Sequence, residues 1–248
     1  GAWLLQVSSP IFAFAAAGLL MLGALPFLLA ITGIPRPKRS GNSESFLQQL
    51  ADGWQYARNH SSIRVIFGFT LVNAMLGRTV IELLPAVSGQ LLSGNSTTLA
   101  TLTAAAGAGS ILGGLVVSRQ GSAEGRLLVI MSGGLALGAM LVGLLGIVHK
   151  LPAVVTLIAL ISMITTIVGT SSQALAQLLV DDDYRGRVLS LWTMLAMGAP
   201  ALGALTMGWM ADRFSFSPVL AVFAVLALFA IYWLNKRRKA LKHGLATG

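Results

Sequence analysis

Three polar side chains, Asn73, Arg78 and Glu82, interrupt the apolar stretch Ile63–Leu84. A charged residue at the centre of a membrane helix costs about 2.5–3.5 kcal/mol on insertion scales, so such residues usually face a cavity or each other. Arg78 and Glu82 stand one helical turn apart and can pair on one face. Three readings are open: a structural ion pair joining helix ends, a cavity-lining pair that binds a charged substrate, or a proton-coupling carboxylate at Glu82. Glu82 is the only acidic residue well inside an apolar stretch, so a coupling carboxylate in this chain would be Glu82.

A second signal lies in Pro152–Leu179, where Ser162, Thr166, Thr170, Gln173 and Gln177 recur every three or four residues. At about 100° per residue they fall within an arc of roughly 80°. Ile161, Ile164, Ile167, Val168 and Leu175 occupy the rest of the helix. Such a stripe either bonds to neighbouring helices or lines a wet path. Hydroxyls alone favour the first, because Ser and Thr can bond their own backbone. The two glutamines, with free amides, favour a path formed by Thr166, Thr170, Gln173 and Gln177, with Asn73 beside it.

Two polar segments sit between apolar stretches. Gly114-Leu115-Val116-Val117-Ser118-Arg119-Gln120-Gly121 closes one, and Asp181-Asp182-Asp183-Tyr184-Arg185-Gly186-Arg187 opens another. Carboxylates before a helix N-terminus complement its dipole and can cap its free N–H groups. That is a simpler use of three Asp than a Mg²⁺ or Ca²⁺ site, which needs further oxygen ligands. The chain has no cysteine, so thiolate nucleophiles, disulfides and Cys-ligated metals are excluded. Its three histidines, His60, His149 and His243, all lie outside the apolar stretches, and no metal site is expected. Neither a nucleophile–base pair nor a phosphate loop is visible, so no enzyme and no cofactor are expected.

The elements that must position these residues are membrane helices. Hydrophobic residues make up 55% of the 248 and charged residues 10%, against about 25% charged in soluble domains. Seven stretches are long enough to span a bilayer, which takes about 20 apolar residues: Ser9–Ile34, Ile63–Leu84, Leu99–Ser118, Leu127–Val148, Pro152–Leu179, Val188–Ala211 and Phe216–Leu234. Of the 17 lysines and arginines, only Lys150 and Arg213 lie in alternate connections and Arg78 within a stretch; the others share one side. The positive-inside rule then places the C-terminal tail in the cytoplasm. The net charge of +9 therefore faces anionic lipid headgroups, and nucleic acid is not an expected partner. The fold class is an all-α polytopic membrane bundle of seven transmembrane helices.

The stop Ile34-Pro35-Arg36-Pro37-Lys38-Arg39 ends the first helix. Phe46, Leu47, Leu50 and Trp54 then mark an amphipathic helix within Glu44–Arg58, suited to the cytoplasmic interface. Short connections such as Ser93-Gly94-Asn95-Ser96 and His149-Lys150-Leu151 force consecutive helices to be antiparallel. Gly107, Gly109, Gly113 and Gly114 form a small-residue face that includes a literal GxxxG, and Gly133, Gly134 and Gly138 read the same way. The expected organisation is 1–34 as the last helix of a preceding bundle and 35–62 as a central loop. A six-helix bundle over 63–234 and a basic tail over 235–248 follow. Trp3-Leu4-Leu5-Gln6 reads as the end of an earlier helix, so the chain is expected to be a fragment.

The Gly114…Arg119-Gln120-Gly121 segment resembles the cytoplasmic loop motif Gly-x-x-x-Asp-Arg-x-Gly-Arg of the major facilitator superfamily. Arg185-Gly186-Arg187 looks like the corresponding later loop, and Gly198-Ala199-Pro200-Ala201-Leu202-Gly203 like that family's Gly-Pro-rich helix. Asp52-Gly53-Trp54-Gln55-Tyr56-Ala57-Arg58 and Arg78…Glu82-Leu83-Leu84-Pro85 are similar to the enterobactin-exporter-like group of drug and siderophore exporters. The resemblance implies a half transporter: the last helix of an N-terminal bundle, then helices seven to twelve. It implies proton-coupled efflux of a small organic molecule by alternating access, in the cell inner membrane, together with the missing N-terminal half. It also implies cytoplasmic gate motifs at Gly114, Ser118, Arg119 and Gly121 and at Asp181, Arg185, Gly186 and Arg187. Ser118 stands where the motif has Asp, which implies a weaker latch. The rival reading is a non-transporting, membrane-embedded binding or assembly subunit in which the polar stripe is helix–helix glue.

Overall fold

The computed structural model describes residues 10–23, 25–26, 46–119 and 124–246. The chain divides into two compact units, Gly1–Ser45 and Phe46–Gly248. Helix α1, Pro10–Gly23, belongs to the first; residues 9, 24 and 27–34 of the expected first span, and the proline stop that ends it, lie outside the described residues. The second unit holds α2 (Phe46–Asn59), α3 (Ser61–Asn73), α4 (Thr79–Glu82), a short turn α5 (Leu84–Ala86), α6 (Ser96–Ser118), α7 (Glu124–Leu145), α8 (Leu151–Leu179), α9 (Asp182–Phe214) and α10 (Phe216–Ala246). Two π-helical turns, Ala74–Arg78 and Val87–Leu91, interrupt the early part. Among the described residues, six helical segments are long and apolar enough to cross a membrane: Ser61–Glu82, Ser96–Ser118, Leu127–Leu145, Leu151–Leu179, Asp182–Phe214 and Phe216–Arg237.

Local chemistry fixes where these helices begin. The Asn95 side chain accepts hydrogen bonds from the Thr97 and Thr98 amides, both at 3.1 Å, and so caps α6. Pro152 in the first turn of α8 uses a position where no N–H is needed. Ser215, with φ 66°, makes the one-residue reversal between α9 and α10. Arg58, Arg64, Arg119, Arg185, Arg187 and Arg237 mark what we call the basic end of the bundle.

Helix α8 is the hub, packing against α3, α6, α7 and α9. Ile158, Ile161, Ile164, Val168 and Leu175 are buried in the main core. From α7 come Met131, Leu135, Ala139, Val142 and Leu145, one buried stripe at helical spacing. The outside is apolar as well: Ile111 is 67% exposed, Leu205 70% and Phe229 69%. A water-soluble bundle would hide such residues; a lipid-facing one presents them.

The contact between α6 and α8 depends on two glycines. A Cβ on Gly109 would run into the Ala159 carbonyl of α8, and one on Gly113 would stand 2.6 Å from the Met163 carbonyl oxygen. Gly107 and Gly114 have nothing within 4 Å, so the small-residue face narrows to the GxxxG pair. In α7, Gly134 and Gly138 likewise meet Val168 and Ile164, while Gly133 faces open space.

Replacing Gly109 by leucine should therefore overpack the α6–α8 seam and cost about 1–3 kcal/mol, whereas Gly107→Leu should be close to neutral. Thermal unfolding in detergent checks this. Equal melting temperatures for the two variants would overturn the close-approach account.

Candidate translocation cleft

The early helix breaks where its polar residues begin. Thr70, in the last turn of α3, donates its hydroxyl to Ile66 O at 2.9 Å, and Asn73 ends the element. The π turn Ala74–Arg78 follows; Thr79 Oγ1 reaches back five residues to Ala74 O at 3.0 Å and across to Pro200 O of α9 at 3.4 Å. One extra residue in a turn rotates everything after it, which is why such bulges re-aim side chains. Asn73 Nδ2 donates to Thr165 O of α8 at 3.2 Å, pinning the break to the hub.

On this junction opens a cleft of about 680 Å³, including its mouth. Asn73 and Arg78 line it from the broken helix, and Thr165, Thr166, Gly169, Thr170 and Gln173 from α8. Helix α9 supplies Trp192, Ala196 and Met197. Trp192 Nε1 donates to Thr70 Oγ1 at 3.1 Å, which fixes the indole and uses up both polar groups. The remaining polar surface comes from Asn73, Thr165, Thr166, Thr170, Gln173 and Arg78, and the apolar surface from Trp192, Ala196 and Met197. Such a surface suits an amphipathic organic molecule, through hydrogen bonds to a polar group and contact with an apolar body.

Arg78 Nε and Glu82 Oε1 lie 3.3 Å apart, with side chains 48% and 52% exposed. The pair is thus formed across one turn, and only Arg78 of the two lines the cleft. The α8 stripe divides. Ser162 is buried and donates to Ala106 O of α6 at 2.7 Å, with Ser110 Oγ at 2.8 Å; it is helix–helix glue. Thr166, Thr170 and Gln173 reach the cleft, whereas Gln177 is exposed beyond it. Thr70, Thr165, Trp192 and Met197 belong to the cleft without having been marked by the sequence. Thr70 sits three residues before Asn73 on the same face, a spacing that could have found it.

The segments that resemble gate motifs lie at the basic end. Gly114, Ser118 and Arg119 are exposed; Ser118 Oγ bonds Leu115 O of its own turn at 2.9 Å, and Gly121 lies outside the described residues. Asp181 takes the N-cap position of α9 but makes no side-chain cap. Its carboxylate instead accepts the Tyr56 hydroxyl at 3.0 Å, and its amide donates back to the Tyr56 oxygen at 3.3 Å. Asp182 pairs with Arg185 at 2.6 Å, and Arg187 with Asp52 of α2 at 3.3 Å. Gly186 is exposed with nothing within 4 Å of an added Cβ. Helix α2 thus docks by Asp52, Gly53 and Tyr56, while Trp54, 60% exposed, faces away from the core.

Six apolar spans, lipid-type exteriors and a polar cleft at a broken helix define a multi-pass membrane transporter. The sequence matches the major facilitator family profile described as transmembrane secretion effector over residues 1–243, and the chain belongs to that family. No curated protein and no solved structure matches it.

Burial pushes the Tyr56 phenol above the ordinary tyrosine value, and the Asp181 carboxylate adds to this while the Asp181 amide opposes it. A raised value means that the protonated hydroxyl is favoured by folding: its contribution is complete below about pH 10 and is lost as pH rises through the folded value. In an alkaline absorbance titration, a late-ionising tyrosine phase of the wild type should therefore vanish in Y56F. Persistence of that late phase would reassign the buried phenol.

Proposed function

We propose that this chain is the C-terminal part of a proton-coupled secondary transporter that exports a small organic molecule across the cell inner membrane. Residues 1–34 supply the last helix of an N-terminal bundle and 35–62 the cytoplasmic central loop. Residues 63–234 form the six-helix C-terminal bundle, and 235–248 a basic cytoplasmic tail. The other half of the transporter is its partner, and the transporter is not an enzyme. The observation that carries the reading is the cleft in which the α8 residues Thr166, Thr170 and Gln173 meet Asn73 and Arg78 of a broken membrane helix.

Alternating access needs a site whose affinity differs between two states. Here the substrate hydrogen-bonds to Gln173 and the threonines and lies against Trp192 and Met197. Glu82 is the coupling group. When it takes a proton, Arg78 loses its counter-charge and turns to the cleft's neutral acceptors, competing with the substrate for them. Competition between proton and substrate is what exchange requires. The segments 114–121 and 181–187 act as cytoplasmic gate faces.

A second reading, a non-transporting assembly subunit, draws on one observation: Ser162 of the same stripe is consumed by helix–helix bonding to Ala106 and Ser110. The two readings separate experimentally. In the full-length transporter, cysteines at positions 166, 170 and 173 should react with a membrane-impermeant maleimide and be protected by a transported dye. The dyes tested are ethidium, carboxyfluorescein and Nile red. A cysteine at 162 should stay inert. Inertness at all four positions in every state would establish the assembly reading. E82Q should still bind the dye yet lose the pH dependence of efflux; an unchanged pH profile would remove Glu82 from coupling.

A further inference from the structure

The cluster at the basic end takes no part in the cleft, yet it is more elaborate than a surface contact. The Tyr56 ring stacks on His60 with centroids 3.9 Å apart and on Tyr184 at 4.6 Å, with planes inclined by 22° and 19°. Two rings can stack on a third only from opposite faces, so Tyr56 is sandwiched. Its hydroxyl meanwhile exchanges two hydrogen bonds with Asp181. The Arg187 guanidinium lies 5.7 Å from the Tyr184 centroid and pairs with Asp52. Beneath these contacts Tyr56 and Ala57 join Ile63, Val180 and Val188 in a buried apolar cluster of their own.

Gly53 sets the separation. A Cβ there would stand 3.1 Å from Arg187 Cβ and 3.2 Å from the Arg187 carbonyl carbon, tighter than an ordinary side-chain contact, so glycine lets α2 and α9 pack closely. Nor is α2 free to swing on its other side. The His60 amide donates to Tyr56 O and the Arg64 amide to His60 O, both at 3.1 Å, which carries helical bonding across the α2–α3 junction. Exposed ion pairs alone contribute little, and a latch made only of them would open readily. This one adds a buried ring, a buried apolar cluster and a continuous backbone connection.

We propose that α2 is the positioning element of the 181–187 segment. Tyr56 and Asp52 hold the start of α9 in the orientation from which it meets the opposing half, and α2 stays docked through the cycle, moving with the C-terminal bundle. The docking stands on geometry; its consequence for gating rests on the transporter reading above. Tyr56 and Asp52 act through Asp181 and Arg187, not on the substrate. Their loss slows the change of state and leaves the cleft's affinity alone.

The test uses the full-length transporter in a cysteine-free background, with spin labels at the exposed positions Gln55 and Leu178. Docking requires one narrow distance that stays the same when the pH is lowered and when the best-transported dye is added. A second population, or a shift with either, would show that α2 detaches and overturn the proposal. Y56F and D52N, normalised to folded protein, should each lower kcat for that dye by at least about fivefold while KM stays within about twofold, the size of an ordinary coupling effect. Unchanged kcat per folded molecule, or a change in KM instead, would reduce the cluster to a structural contact and overturn the positioning role. If the wild type moves no dye, the transport reading fails, and the distance measured across the pH step alone decides whether α2 stays docked.

Discussion

The arrangement depends on how closely α6 can approach α8. Within a bilayer no hydrophobic effect drives helices together, so association falls to dispersion contacts and a few interhelical hydrogen bonds. Gly109 and Gly113 lie under the Ala159 and Met163 carbonyls, and Ser162 bonds to Ala106 and Ser110 at the same level. These contacts fix the rotation of α8 about its own axis. With that rotation set, Ile161, Ile164 and Val168 enter the core, and Thr170 and Gln173 can only face the cleft. A leucine at either glycine would widen the seam and displace both faces together.

The second constraint is the π turn. Buried Thr79 satisfies its hydroxyl on Ala74 O and lies near Pro200 O, so the irregular turn is braced against the proline-bearing part of α9. Irregular backbone within an apolar span is tolerated where protein or a cavity surrounds it. Here both do. Asn73 is tied to α8, and Arg78, at the far end of the turn, reaches the cleft while keeping Glu82 one turn away.

Much of this was legible in the sequence because it depends on single-helix properties. Apolar length gave the spans, four-residue spacing gave the Arg78–Glu82 pair, and the GxxxG gave the α6 seam. What the sequence left out depends on relations between helices. A π turn adds one residue to a period and leaves no compositional mark. The phase of α9 relative to α3 decides that Trp192 bonds Thr70, and no periodicity within α9 carries that phase. For α2 the apolar positions Leu50 and Trp54 suggested a membrane-facing side, but the docked side is the less apolar Asp52-Gly53-Tyr56 face. Glycine permits the approach there and a buried aromatic ring replaces the aliphatic stripe. The three Asp before α9 suggested a cap; Asp181 lies at the cap position, and the Tyr56 hydroxyl outcompetes the helix amides for its carboxylate.

Helix α9 joins these parts. It starts in the aromatic cluster with Asp181 and Arg187, places Trp192 in the cleft, and carries Pro200 against the π turn. At about 1.5 Å per residue, Arg187 and Trp192 are separated by roughly 8 Å along the axis, and Arg187 and Pro200 by roughly 20 Å. A helix transmits displacement along such lengths without needing a chain of separate contacts. A displacement of Trp192 would therefore be carried along a helix whose first turn is held by Tyr56 and Asp52 and whose proline-bearing part rests on Thr79. At Gly53 an added Cβ would stand 3.1 Å from Arg187 Cβ, so α9 packs closely on α2 there, and a tilt or rotation about the docked end disturbs that contact less than a slide would. For a tilt about the docked end, displacement grows with distance along the helix, so it is larger at Pro200, which has no backbone N–H to give the helix, than at Trp192.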